Sequence, residues 1–231
     1  MLAEVLDVVE TEISVGMTTA EVDQVARREI KALDGKPAFY GYQGFPGAAC
    51  VSLNEQVVHG IPGPTEIADG DIISVDCGVN YKGMISDSAF SIIVGQADPA
   101  DEQLLATTQK SLQAGIDQVK ASAPIGNIGA AVQSVLDKGG YAVVRDLVGH
   151  GVGRSLHEAP EIPNFGTRGS GRKLLAGMTI AIEPMATRGS WKVDVLSDNW
   201  TIVARDGSRS AHFEHTVLIT DNGAEVLTAR N

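Results

Sequence analysis

The chain has 231 residues, 43% hydrophobic and 20% charged, an ordinary balance for a soluble globular protein with enough material for a sizeable core. A formal charge of -11 argues against nucleic-acid or anionic-membrane partners, which need clustered Lys and Arg. Cys50 and Cys77 lack metal or redox spacing and read as reduced buried thiols; the acidic N-terminus lacks a signal-peptide pattern and no apolar run approaches a membrane span, so a cytoplasmic protein is expected.

In chain order, Leu2, Val5, Leu6 and Val9 make a helical stripe over 2–12. Thr18 and Glu21 form a capping box for a second helix running to Leu33. A Gly- and aromatic-rich loop spans 39–46. Short strands are expected at 48–53 and 57–59, and two longer ones at 72–79 and 85–94, joined by a turn at 80–83. Helices follow at 103–120 and 128–138, then a strand at 141–148 leading into the glycine string Gly149, Gly151 and Gly153. The segment 163–173 reads as a polar loop. Further strands are expected at 178–185, 191–195, 200–205 and 211–220, and Asp221-Asn-Gly223 signals a closing hairpin to 225–228.

Two stretches share one design. Gly70–Asp76 and Gly177–Glu183 each run from a glycine through a mostly apolar strand to a carboxylate. Each follows two helices separated by a glycine break, and each half holds a His-Gly pair, His59-Gly60 and His150-Gly151. The expected architecture is therefore α+β, a single domain over 1–231. Two pseudo-symmetric halves, about 1–100 and 101–231, would each add a helix pair and antiparallel strands to one curved sheet.

Candidate chemistry gathers on a few polar residues at apolar positions. A turn centred between Tyr81 and Lys82 places Asp76 directly opposite Asp87 on one sheet face, with Cβ atoms roughly 4.5–5.5 Å apart. Two carboxylates there repel unless they share a proton or a cation; the alternative is an exposed hairpin face carrying two solvated acids. Glu183 ends an apolar strand before Pro184, and Glu214 lies within the strand at 211–220; each alone could reach water. His212 reads as a surface residue beside Glu214, and His215 as packed. His150 sits between glycines, and His157 follows seven residues later. Asp76, Asp87, Glu183 and Glu214 sum to four negative charges, which two divalent ions would neutralise, with His150 as a fifth ligand. A carboxylate-rich set with one His suits Mn, Fe, Co or Zn in a catalytic pair, whereas structural zinc would want Cys and His. Such a pair activates water and clamps a carbonyl, while a neighbouring glutamate takes the proton. The glycine string is no dinucleotide fingerprint, because no helix follows it, and neither a Gly-x-Ser-x-Gly elbow nor an HExxH helix occurs.

Taken together, Cys50–Pro62 with His59, the Asp76 and Asp87 pair, Gly149–Arg154 with His157, Ile182–Met185 and Ser210–Thr216 resemble the bacterial type I methionine aminopeptidases, over almost the whole chain. The resemblance implies the pita-bread metallopeptidase fold and two divalent ions (Co, Mn, Fe or Zn). Asp87 and Glu214 would bridge them; Asp76 would chelate one, and His150 and Glu183 the other. Glu183 would also be the general base. His59 would lie near the substrate amine and leaving nitrogen, and His157 would hydrogen-bond the carbonyl or tetrahedral oxygen. Tyr42, Phe45, Cys50 and Trp200 would surround the methionine side chain; without the resemblance these read as plain core packing. The implied reaction releases Met when the second residue is small. Peptide N-termini are the implied substrates, the ribosome is a candidate partner, and a monomer is expected. Leu156 stands where the family usually has an aromatic residue, and Phe39 where a smaller one is common; the chain also starts inside the family's first helix. A pita-bread peptidase cleaving X-Pro bonds and a non-catalytic peptide- or protein-binding relative are the alternatives.

Overall fold

The computed structural model describes residues 1–230. Helix α1 (Leu2–Glu12) buries Leu2, Val5, Leu6 and Val9, and α2 (Thr19–Ala32) buries Val22, Val25, Ala26 and Ile30. The capping box forms: Glu21 N–H donates to Thr18 Oγ1 at 3.2 Å, and Thr18 N–H donates to the Glu21 carboxylate at 2.8 Å. A cap of this kind is worth about 1 kcal/mol. Helix α3 (Pro99–Ile116) starts earlier than its apolar stripe announces, because Asp98 caps it and Pro99 fits its first turn. Helix α4 (Gly126–Gly139) ends on left-handed Gly140. No helix among the described residues is long and apolar enough to cross a membrane.

The strands are β1 (Lys36–Pro37), β2 (Ala49–Leu53), β3 (Gln56–Val58), β4 (Asp71–Tyr81), β5 (Met84–Val94), β6 (Ala142–Val143), β7 (Gly149–Gly151) and β8 (Glu158–Ile162), then β9 (Thr179–Ile182), β10 (Met185–Thr187), β11 (Val193–Val195), β12 (Ile202–Ala204), β13 (Ser210–His212), β14 (Glu214–Ile219) and β15 (Ala224–Val226). Nine form one sheet in the order β1-β4-β5-β14-β9-β7-β8, with β2 also on β4 and β15 on β14. Two three-stranded sheets, β13-β10-β6 and β11-β12-β3, complete the fold, and every pairing is antiparallel. The main core joins the four helices to the sheet, drawing on Leu6, Ile30, Ile73, Leu104, Ile128 and Ile180 among others. Each such side chain is worth roughly 1.5–3 kcal/mol in burial.

The segments entering β4 and β9 are wired alike. Gly70 N–H donates to Val94 O at 2.7 Å, and Gly177 N–H to Ile219 O at 2.9 Å. Ile67 N–H reaches Met17 O, and Leu174 N–H reaches Ala123 O. Both glycines have positive φ, +84° and +87°, which only glycine adopts without strain, so the paired glycines are needed to turn each chain into its strand.

Four sequence expectations change. The β4–β5 hairpin turns one residue later than expected: Lys82 (φ 52°) and Gly83 (φ 86°) form its centre, and Tyr81 pairs with Met84. A two-residue hairpin turn of this twist needs positive φ at both central positions, and Gly83 takes the second without strain. Asp76 therefore opposes Ala89, and Asp87 opposes Gly78, so the two acids are diagonal neighbours on one face. The stretch 141–148 is not one strand; only Ala142–Val143 pair, before an irregular passage into β7. The strand expected at 178–185 breaks at Glu183-Pro184, and the one at 211–220 breaks at Phe213. At each break the chain passes between the large sheet and a small one, from β9 to β10 and from β13 to β14, and β10 and β13 pair with each other there. Strands β1 and β8 carry no alternation that would announce them.

Candidate metal centre

The step between sheets is where the polar residues converge. Across four adjacent strands, Cys50 on β2 pairs with Asp76 on β4, Asp76 with Ala89 on β5, and Ala89 with Glu214 on β14. Asp87 lies two residues from Ala89 on the same face. Ala89, with only a methyl group, leaves room among three carboxylates. The backbone there is tied: Asp87 N–H donates to Thr216 Oγ1 at 2.9 Å, Thr216 Oγ1 donates to Asp87 O at 2.8 Å, and Ser88 Oγ donates to Glu214 O at 2.7 Å. Glu183 joins from the end of β9, its carbonyl accepting from Asn164 Nδ2 at 3.0 Å.

His150 enters on β7, and its flanking glycines explain themselves by contact. A Cβ on Gly149 would lie 2.3 Å from Ala181 O, and one on Gly151 would lie 2.5 Å from Ala159 O. Gly153 meets no such obstacle; its ideal Cβ would be 3.5 Å from the Glu158 carboxylate. His150 Nδ1–H donates to Gly151 O at 2.9 Å. That bond leaves the lone pair on Nε2, 3.5 Å from Glu183 Oε1 and 4.0 Å from Asp87 Oδ2.

These carboxylates are buried against one another. Asp76, Asp87 and Glu214 are 9%, 3% and 2% exposed, and Asp76 Oδ1, Asp87 Oδ1 and Glu214 Oε1 have no hydrogen-bond partner. Burial, reinforced by the neighbouring negative groups, pushes Asp76, Glu183 and Glu214 well above the usual carboxylate range. Burial also raises Asp87. Burial holds His150 and His59 down at about 4, so both are neutral imidazoles near pH 7. Orphaned buried carboxylate oxygens facing one imidazole lone pair are the donor set a divalent cation takes. Ligand atoms of Asp87, His150 and Glu214 lie within 4.8 Å of one another, and the residues present fit such an ion.

A cleft of about 240 Å³ opens on this cluster. Asp76, Asp87, His150, Glu183 and Glu214 form one wall; His59, His157, Tyr42, Phe45, Cys50 and Trp200 lie around it. Every residue singled out for this site from the sequence lines this one cleft. The apolar side is a separate cluster of Phe39, Phe45, Cys50 and Leu156, with Tyr42 and Trp200 against it. Phe45 meets Trp200 edge-on at 5.1 Å between centroids. Cys50 stays a thiol, since burial and then Asp76 push its pKa up. His59 holds a positive φ of 59°, a costly backbone state that Gly60 N–H, donating to Ser52 Oγ at 3.0 Å, helps to fix.

Other residues of the site escape sequence reading. Gln43, Leu147 and Val148 also line the cleft. Asp198 anchors Trp200, accepting from its N–H and that of Thr201, both at 2.8 Å; an Asp two residues before an aromatic was the available signal. His212 is a correction. It is 1% exposed rather than on the surface, its ring nitrogens have no partner, and Nε2 lies 4.0 Å from Glu214 Oε2. Alternation does put it on one face with Glu214 and Thr216, but that face is buried in the site rather than open to water. His215 is half-buried as a packing residue, with Nδ1 2.9 Å from Thr228 Oγ1.

The model of metallopeptidase family M24 matches residues 1–221. The chain belongs to that family. Among curated M24 relatives, a methionine aminopeptidase of Clostridium perfringens is 45% identical over 228 residues, covering 99% of this chain and 92% of its own. A crystal structure of methionine aminopeptidase from Thermotoga maritima superposes with a TM-score of 0.97 at 46% identity, covering 99% of this chain and 92% of that one. The prolidase of Pyrococcus horikoshii shares the pita-bread fold with a TM-score of 0.78, at 22% identity and over 59% of its length against 99% of this chain. That likeness speaks to architecture alone. This M24 member thus has the curled antiparallel sheet and helix pairs of the pita-bread fold.

Proposed function

We propose that this chain removes the N-terminal methionine from peptides and nascent proteins whose second residue is small. Two divalent ions, drawn from Co, Mn, Fe or Zn, would be held by Asp76, Asp87, His150, Glu183 and Glu214. The observation that carries this reading is the set of buried, unpartnered carboxylate oxygens at one wall of a cleft whose other wall is apolar. Divalent ions there supply neutralising charge and Lewis acidity toward water and the scissile carbonyl.

The remaining work falls to side chains. Glu183, beside His150 and open to the cleft, takes the proton of the attacking water and returns it to the leaving nitrogen. His157 donates to the carbonyl oxygen as negative charge grows there. His59 stands near the substrate amine and the leaving nitrogen, neutral and able to accept or pass a proton. Phe45, Cys50, Trp200 and Tyr42 receive the methionine side chain, whose flexible thioether packs well against aromatic faces. Chain N-termini leaving the ribosome in the cytoplasm are the substrates that go with this reading, with the protein acting as a monomer.

Chelator-treated protein should be inactive on Met-Ala and Met-Gly peptides, and Mn, Fe, Co or Zn should restore release of free methionine. Preferential cleavage of an X-Pro dipeptide would replace this reading with that of a sibling peptidase. No turnover with any of the four ions would overturn it.

A further inference from the structure

Tyr42 reaches across the mouth of the cleft to His157, with Oη 2.8 Å from Nδ1 and ring centroids 5.3 Å apart. Both residues are held by their own backbone. Tyr42 opens a tight turn in which Gly41 N–H donates to Phe45 O at 2.8 Å and Tyr42 N–H to Phe39 O at 2.9 Å. Just before His157, Ser155 N–H donates to the Glu158 carboxylate at 2.7 Å and fixes that bend. With Nδ1 engaged, Nε2 is the only ring nitrogen of His157 left for a ligand.

The direction of that bond sets the chemistry. A neutral imidazole carries one N–H and one lone pair. A phenolic O–H is a much stronger acid than a neutral imidazole N–H, so the favoured pair has Oη–H donating into the Nδ1 lone pair. The proton of the ring then sits on Nε2. His150, whose ring centroid lies 4.2 Å from that of His157, has the opposite arrangement. Its Nδ1 faces a carbonyl, Gly151 O, which can only accept, so its proton is on Nδ1 and its lone pair on Nε2. Two adjacent histidines are thereby given opposite tautomers by their Nδ1 partners: one offers a lone pair to the carboxylate cluster, the other an N–H to the cleft.

We infer that Tyr42 is a positioning residue whose hydroxyl holds His157 in the Nε2–H tautomer, the only neutral form able to donate to a scissile carbonyl oxygen. The inference rests on the role given to His157 above. The other tautomer would present a lone pair to that oxygen and repel the growing charge.

The test uses zinc-loaded protein labelled with [15N]histidine, the His157 signals being assigned by their loss in His157→Asn. The expected spectrum has the proton on Nε2 and a bare Nδ1 for His157. Tyr42→Phe keeps the ring against the apolar wall and removes only the hydroxyl. It should abolish the tautomer preference and lower kcat on a Met-Ala peptide about tenfold, with KM within about twofold. A wild-type spectrum with the proton on Nδ1 would overturn the inference. So would a Tyr42→Phe protein with unchanged tautomer and unchanged kcat. If wild-type protein cleaves no Met peptide, the proposed function fails, whereas the tautomer is decided by the spectrum alone.

Discussion

The two walls of the cleft are built by different rules. The polar wall sits on strands: Asp76, Asp87 and Glu214 are placed by ladder register, and Glu183 by the step between two sheets. The apolar wall comes largely from loops, with Tyr42 and Phe45 in a tight turn and Trp200 held by Asp198. The first wall opposes the metal-free fold through crowded buried charge, and the second favours it through buried area. The acids are thus tied to the sheet, where a one-residue slip would turn them to the other face, and the aromatics to segments that can vary without moving an acid.

The largest separation of the two walls should come from Asp87→Asn. Removing a proposed ligand should lower kcat/KM by about 10³-fold or more, since several kcal/mol of Lewis-acid assistance would be lost. In the metal-free protein the same change should raise Tm, because it relieves repulsion among buried acids; calorimetry with and without metal checks both signs. Phe45→Ala should act in the other direction. It should cost about 3 kcal/mol of stability, read from denaturant unfolding, while metal affinity by titration calorimetry stays within about threefold. KM for Met peptides should rise about tenfold.

Acidity gives a third separation. The carboxylates of the polar wall have folded pKa values above their unfolded ones, Asp87 reaching about 7. Such groups favour the fold below the unfolded value near 4, and that contribution is lost as pH rises through the folded value. His59 and His150, depressed to about 4, act oppositely: their contribution is complete above about 6.5 and is lost as pH falls toward 4. The two effects oppose each other below pH 6.5, and above it only the carboxylate effect remains. Metal-free protein should therefore lose Tm as pH rises from 6.5 through about 7, where Asp87 ionises, and metal-loaded protein should not. The smallest effect is expected from Leu156→Phe, which should change the preference for methionine over leucine substrates by only a few-fold, at unchanged metal affinity.

The fold was readable where local rules and tertiary structure agree. The stripe of α1, the Thr18–Glu21 cap and the paired Gly70 and Gly177 designs need only a few residues of context, and they stand where expected. The hairpin register was missed by one residue because Lys82 accepts a positive φ that its side chain does not advertise. Both acids stayed on one face even so, since the true turn keeps their parity. Strand breaks at Glu183-Pro184 and Phe213 are decided by two strands leaving the large sheet together, where Phe213 N–H meets Pro184 O at 3.3 Å. No single-strand alternation contains that event, and none shows that the face His212 shares with Glu214 is buried rather than solvent-facing. The candidate ligands could each be singled out as polar residues in apolar runs, but their grouping around one cleft depends on the crossing of distant strands.

The central claim is that five side chains from both halves hold a pair of divalent ions at the sheet step. Anomalous diffraction from manganese-soaked crystals, recorded at the manganese edge, tests it most directly. Two peaks enclosed by Asp76, Asp87, His150, Glu183 and Glu214 are expected. No peak among these residues, or peaks ligated elsewhere on the chain, would contradict the account.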